Sequence, residues 1–358
     1  MALTGAMSAG ISGLKAHMDA LNVVGNNVAN VNTQGYKPGR VTFMESIYST
    51  QSAGSAGTAT VGGTNPRQTG YGVGIGTIDL DMSSRSLDST GRGMDCAIQG
   101  DGFFLVGDKT HDIDSMDALK GLTLTRVGNF EFRDGYLTDG QGNVVYGFIT
   151  RSNGDAPGTT PGDKPSTDLV PIRLPMKSTD PNSKGDAVYV GVDDQTGANV
   201  YPDNDPAATV DGFVDLENIS IDKNGKITGT NKDTGDPVVV GYIALGSVEN
   251  LNGVLHTEGP YYTAGDAAGD IRVGTPGNSV TGNLRNDKIT DGNNVVDPDS
   301  ALAEGSGATL MTGFLEASGT DLAAEFANMI IYQRGYQANT RIVTVTDTML
   351  EELVNMKR

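Results

Sequence analysis

Apolar residues recur at every seventh position at both ends of this chain, and in short runs broken by turn residues between. Near the N-terminus Met7, Leu14, Leu21 and Val28 keep the seven-residue interval, and Ile11 and Met18 fall four residues after Met7 and Leu14. This a/d pattern predicts an amphipathic helix from about Leu3 to about Val28. Gly5, Gly10, Gly13 and Gly25 weaken it by about 1 kcal/mol each against alanine, so the helix needs a partner. At the other end Leu322, Met329, Tyr336, Val343 and Leu350 repeat in the same way, and Phe326, Ile330, Leu353 and Val354 widen the face. Ser318 or Thr320 is the expected N-cap, with Asp321 in the first turn and Lys357 and Arg358 at the C-terminal end complementing the helix dipole. Two arrangements fit. The helices form an ordinary pair packed on one domain, or they pair and turn a remaining apolar face to other copies of the chain.

Between the ends the period changes. From about Val73 to Phe148, runs at 75–80, 96–98, 103–106, 122–125, 130–132 and 144–148 alternate with Gly100-Asp101-Gly102, Asp134-Gly135 and Gly140-Gln141-Gly142. This is strand and hairpin punctuation. A second β-like block covers about Phe213 to Tyr262, with a turn at Lys223-Asn224-Gly225 and a strand starting after Pro237. The fold class expected is multi-domain α+β. Residues 1–30 and 318–358 form a terminal, coiled-coil-like helical domain, and 31–72 form a linker, Ser/Gly/Thr-rich over 49–72. Residues 73–150 with 213–305 form the β-rich core. Residues 151–212 form a small inserted outer region, with strands expected at 169–174 and 187–192. Residues 265–306 read as an extended polar loop.

Composition narrows the function classes. The chain has 358 residues, a formal charge of −19 and no run of Lys or Arg, which argues against nucleic-acid and anionic-membrane partners. Gly is abundant and Trp absent, which suits a turn-rich, extended β protein. No apolar stretch is long enough to span a membrane, and the N-terminus lacks the basic and apolar regions of a Sec signal peptide. The single cysteine, Cys96, reads as a buried small hydrophobe.

Catalytic and cofactor chemistry is missing from the pattern. The glycines at 70, 72, 74 and 76 fit neither dinucleotide nor Walker spacing. His17, His111 and His256 are too far apart in sequence for a metal-ligand pair, and His17 reads as solvated or interfacial. The acidic clusters Asp112/Asp114/Asp117, Asp203/Asp205 and Asp297/Asp299 do not fit a calcium loop and read as solvated turns. No cofactor, metal or enzymatic activity is expected. A secreted binding module is the alternative class. It leaves both heptad seams unexplained.

Four segments carry a family resemblance. The run from Gly25 to Lys37 (GNNVANVNTQGYK) resembles the signature of the bacterial flagellar rod and hook family, with Asn26, Asn27, Asn30, Asn32, Thr33, Gly35 and Tyr36 at its motif positions. Its chemistry suits a helix stop, because Asn bonds its own backbone and Gly35 permits φ > 0. Cys96–Val106 (CAIQGDGFFLV) resembles the family's strand–turn–strand motif through Gly100, Asp101, Gly102 and Phe103. Residues 124–138 (LTRVGNFEFRDGYLT) are similar to its hairpin, and 315–353 to its C-terminal helix. The resemblance implies a structural subunit that leaves the cell through the flagellar type III apparatus and polymerises as a helical tube. It implies contacts with rod and hook–filament junction proteins, the hook cap and the export apparatus. The endings 336–341 and 353–358 resemble a hook subunit more than a distal rod subunit, which stays as the alternative. Self-assembly is then expected to use Met7, Ile11, Leu14, Met18, Leu21, Val28, Leu322, Phe326, Met329, Tyr336, Val343 and Leu350.

Overall fold

The computed structural model describes residues 2–57, 62–109, 119–149, 169–179, 184–188, 191–192, 199–200, 210–276, 290–291, 294–295 and 308–356. The chain divides into two compact units, Met1–Ser83 with Ser318–Arg358, and Ser84–Ala317.

Two long helices, α1 (Ala2–Ala29) and α2 (Leu322–Met356), frame the first unit and pack against each other. They run antiparallel. A methyl group on Gly10 would lie 3.3 Å from Val343 Cγ2, one on Gly13 2.7 Å from Asn339 Nδ2, and one on Gly335 2.6 Å from His17 Nε2. The row that α1 buries is therefore Gly10, Gly13, Ala16, Ala20, Val24 and Asn27. The expected seam lies beside it: Ile11 and Met18 are exposed, and Met7, Leu14, Leu21 and Val28 are half-buried. Gly10 and Gly13, which cost helix propensity, are where the partner helix comes closest. On α2 the heptad residues Met329, Tyr336, Val343 and Leu350 are half-buried and Leu322 is exposed. Between them, along the same row, lie the polar or aromatic Glu325, Tyr332, Asn339 and Thr346. Phe326, Ile330, Leu353 and Val354 are exposed.

Four strands complete this unit. Residues 31–72, expected as a linker, carry β1 (Gly39–Glu45), β2 (Tyr48–Ser52) and β3 (Arg67–Gly70). β4 (Val73–Leu80), expected in the central β block, pairs antiparallel with β1 from Gly39↔Leu80 to Glu45↔Val73. β2 pairs with β3 from Tyr48↔Gly70. Gly72 has φ +110° and sits against α1, where a Cβ would meet Ser12 Oγ and the Ala9 backbone. Only glycine fits that approach. His17 stacks at 5.5 Å on Phe43 of β1 and 6.2 Å from Tyr332 of α2, so it is an aromatic packing residue rather than a solvated one.

In the second unit the largest sheet has the order Leu216–Ile221, Lys226–Asn231, Pro237–Ile243, Val144–Ile149, Phe103–Gly107, Thr123–Thr125, Tyr261–Ala264, Val254–His256, with antiparallel neighbours. Each expected apolar run of the two β blocks beyond residue 84 supplies or borders a strand. The hairpin joining Glu131–Arg133 to Tyr136–Thr138 turns on Asp134 (φ 51°) and Gly135 (φ 80°), the two left-handed residues of a type I′ turn. The core gathers Ile98, Phe104, Val106, Phe130, Ile243 and Leu310, with Phe104 edge-on to Phe130 at 4.9 Å. Cys96 is buried in the same cluster, and burial pushes its thiol pKa upward. The C-terminal strands return to the start of the unit: Thr309–Thr312 pairs with Cys96–Gln99, and Phe314–Glu316 with Leu87–Ser89.

The front of one expected loop is a strand, and both strand candidates of 151–212 contain short strands. Ile271–Gly274 pairs with Leu245–Val248, so the front of the expected 265–306 loop belongs to the sheet. Val170–Pro171 pairs with the Val144–Ile149 strand, and Ala187–Val188 with Met176–Ser178. The remainder of 151–212 and the acidic clusters around 112–117, 203–205 and 297–299 lie mostly or wholly outside the described residues, as do His111, Lys357 and Arg358. Among the described residues no helix is long and apolar enough to cross a membrane, and no group of His, Cys, Asp or Glu could hold a metal ion.

Candidate assembly interface

The Asn-rich run after α1 works as a clasp within the first unit. Asn27 is only 1% exposed. Its Nδ2 donates to Gly39 O at 2.8 Å and to Glu325 Oε1 at 3.0 Å; its Oδ1 accepts from Gly39 N at 3.0 Å and from the Tyr36 hydroxyl at 3.1 Å. One side chain thus ties the end of α1 to the turn, to the start of β1 and to the first turn of α2. An amide suits this place, because it offers donors and an acceptor without charge. Around it Asn26 Nδ2 donates to the Tyr36 hydroxyl, Asn30 Nδ2 reaches back to Asn26 O, and Thr33 Oγ1 donates to Asn30 Oδ1. Gly35 takes φ 67°, while Asn32 stays exposed.

The start of α2 completes the clasp. Asp321, not Ser318 or Thr320, is the N-cap: its Oδ1 accepts from Ala323 N at 2.9 Å and Ala324 N at 3.3 Å. Ser318 Oγ instead donates to Asn30 O, just past α1, and Thr320 Oγ1 to Asn27 O in its last turn. Burial raises the Glu325 pKa, the Asp321 charge adds to the rise, and the Asn27 hydrogen bond opposes it. Burial, then the Glu325 charge, raises the Tyr36 hydroxyl as well.

Within the second unit the structure brings three resemblance segments to one buried point. Arg126, from the 124–138 segment, is fully buried; its Nη1 donates to Gly100 O at 2.9 Å, and the guanidinium lies 5.3 Å over the Phe103 ring. Glu316, from the C-terminal segment, places Oε2 3.9 Å from the same Nη1. Gly100 (φ 118°) and Gly102 (φ 140°) shape the turn that exposes the Gly100 carbonyl to Arg126. Asp101 contributes charge to the same guanidinium. This arrangement holds structure together and offers no reacting group to a substrate. Sequence patterns missed Arg126, Glu316 and Glu325, since a lone charge in a strand or helix carries no periodic signal.

Apart from the row facing α1, α2 exposes Leu322, Phe326, Ile330, Ile331, Ile342, Val345, Met349, Leu353, Val354 and Met356. So much apolar surface on one helix marks an interaction site. The sequence matches two family models, one described as flagella basal body rod protein over residues 7–37 and one as flagellar basal body rod FlgEFG protein C-terminal over 311–356. It is 32% identical to the flagellar basal-body rod protein FlgG of Bacillus subtilis, covering 98% of this chain and 97% of that one. The chain belongs to the flagellar rod and hook protein family. It is also 27% identical to the flagellar hook protein FlgE of Salmonella typhimurium, covering 98% and 99% of the two chains, and 25% identical to that of Borreliella burgdorferi, covering 97% and 98%. The first family model takes in most of α1 and the clasp as far as Lys37, and the second all of α2. Members of this family are structural proteins of the flagellar hook and basal body.

Proposed function

We propose that this chain is the subunit of the bacterial flagellar hook, self-assembling into a curved helical tube that transmits torque from rod to filament. The observation that carries the reading is the exposed apolar surface left on paired terminal helices in a chain matched over nearly its whole length by hook proteins. Repeating a contact that does not close on itself along a screw axis makes such a tube. Residues 1–30 and 318–358 form its coiled-coil-like inner layer. The β-rich core carries 151–212 as an inserted region. Interfaces between polar β surfaces exchange at low cost, and that lets the tube bend.

The subunit acts outside the cell, after export without a cleaved Sec signal. It meets the rod and hook–filament junction proteins at the two ends of the hook and the hook cap while the hook grows. Its role is mechanical, with no catalysis and no cofactor. A second reading, a distal rod subunit, is favoured by the relative named as a rod protein at 32% identity. Deleting the gene in its host and imaging purified basal bodies separates the two. Complete rods that end without a hook support the hook assignment, and truncated rods transfer the chain to the rod.

A further inference from the structure

Most of the exposed apolar residues of α2 form two stripes on opposite flanks of the helix; Ile331 stands apart, level with the first stripe on the flank of the second, and Val354 and Met356 lie at the helix end. At 3.6 residues per turn, Leu322, Phe326 and Ile330 lie roughly 110° to one side of the row that faces α1, and Ile342, Val345, Met349 and Leu353 roughly 110° to the other. The first stripe occupies the N-terminal third and the second the C-terminal half. Ile330 is 59% exposed and Met349 49%. The stretch between them carries Gln333, Arg334, Gln337 and Arg341, all exposed, on the outer side of the helix.

We propose that the N-terminal stripe of α2 in one copy packs against the C-terminal stripe of α2 in the next, a head-to-tail contact between identical chains that resides in this one helix. This rests on the self-assembly reading above and specifies which surfaces meet. Three features of α2 select a second copy as the occupant. The stripes have matching spacings, since Leu322, Phe326 and Ile330 fall at near-constant intervals from Ile342, Val345 and Met349. They point to opposite flanks, so the contact cannot satisfy itself within one pair and must propagate. With the two helices parallel, the offset that aligns the stripes brings Arg334 of one copy level with Glu352 of the other, on the same side of the contact. Opposite charges at the rim fix the register that apolar stripes alone leave loose. The offset is about 19 residues, an axial stagger of roughly 28 Å between neighbouring copies.

Cysteine cross-linking in assembled structures tests the pairing. Ile330→Cys and Met349→Cys are placed in separate full-length chains and in one doubly substituted chain, expressed in a host lacking the native gene. Cys96 is buried and does not compete. The two new positions in one chain are roughly 28 Å apart along α2, far beyond disulfide reach, so every product joins two copies. The expected result is a 330–349 heterodimer when the single variants are co-assembled, a ladder of multimers from the double variant, and no dimer from either single variant alone. Dimers of a single variant with itself would show a symmetric contact and overturn the proposal. Intact assemblies with no 330–349 product would overturn it too, while leaving the self-assembly reading standing. If the double cysteine chain does not assemble, charge reversal decides: Arg334→Glu and Glu352→Arg should each reduce motility at least tenfold, and the double reversal should restore most of it. A double reversal no better than the single ones rules the pairing out.

Discussion

Glu316→Gln should unfold the second unit at a temperature about 10 °C lower than the parent chain. The reasoning starts from Arg126, whose guanidinium has no access to solvent. Its Nη1 bonds Gly100 O, but Nε and Nη2 have no hydrogen-bond partner among the described residues. Burial already pushes the Arg126 pKa downward, and Glu316, before Asp101, is the largest charge opposing that shift. At 3.9 Å and an effective dielectric near 20, the attraction is about 4 kcal/mol. Removing one partner of a buried pair typically costs about 3–5 kcal/mol, because the remaining charge stays buried without compensation. A destabilisation of 1 kcal/mol lowers the melting point of a domain of 150–250 residues by about 2–4 °C. The lower half of that product is the better expectation, since the guanidinium keeps its bond to Gly100 and its place over Phe103.

Differential scanning calorimetry on the full chain reads the transition of the β-rich unit. The informative comparison is the pair of variants with the double. Glu316→Gln leaves the Arg126 guanidinium buried without its nearest carboxylate and Arg126→Met removes the cation from beside Glu316, whereas the double variant removes both and should recover more than half of the loss. Melting within 2 °C of the parent for Glu316→Gln, or a double variant as unstable as the sum of the singles, would show that the two residues do not act as a pair.

Asn27→Ala removes four hydrogen bonds from a buried site and should cost about 3 kcal/mol, read as a lower temperature of dissociation for isolated assemblies; an unchanged temperature would mean the clasp is not formed there. Gly13→Leu places a side chain where a single Cβ already comes within 2.7 Å of Asn339, and should abolish motility while the β-rich unit melts normally; motile cells would count against close packing of the two helices. Leu350→Asp should prevent assembly and leave the calorimetric transition of the second unit in place; normal hooks from this variant would refute the role of Leu350. The Glu325 pKa is raised in the folded unit, so its stabilising contribution is complete below the unfolded carboxylate pKa and is lost as the pH rises through the folded value. Glu325→Gln should therefore raise the dissociation temperature above that range and flatten its pH dependence; an unaltered pH profile would mean Glu325 is ionised freely in the assembly.

The strands of the second unit were legible because each is a short apolar run closed by a turn residue with a specific backbone need. Gly225 at φ 77° and the Asp134-Gly135 pair are cases where the turn chemistry alone dictated the chain reversal. The strands β1–β3 were not legible. β2 and β3 are polar and mostly exposed, so no alternation distinguishes them from a linker, and the alternation of Val41 and Phe43 in β1 is too short to stand out. The clasp was visible as an Asn-rich helix stop, but its function was not, because Asn27 acts through Gly39 and Glu325, one of them nearly three hundred residues away.

The row by which α1 packs on α2 was not legible for a more general reason. A heptad search weights large apolar side chains, and on α1 these stand next to the buried row rather than in it. The buried row is built from Gly10, Gly13, Ala16 and Ala20, because a neighbouring helix that brings Asn339 and Tyr332 close needs room more than it needs leucine. Small residues let two backbones approach and gain dispersion contacts along their length. The large residues then remain for other surfaces. In a monomeric protein such a segregation wastes apolar area and promotes aggregation. On α1 the small face sets the fold of the subunit, and the proposed self-assembly residues Ile11 and Met18 stand exposed on the large face beside it. Glycine and alanine at helical spacing beside a heptad of leucine and methionine therefore mark the internal contact that a heptad search passes over.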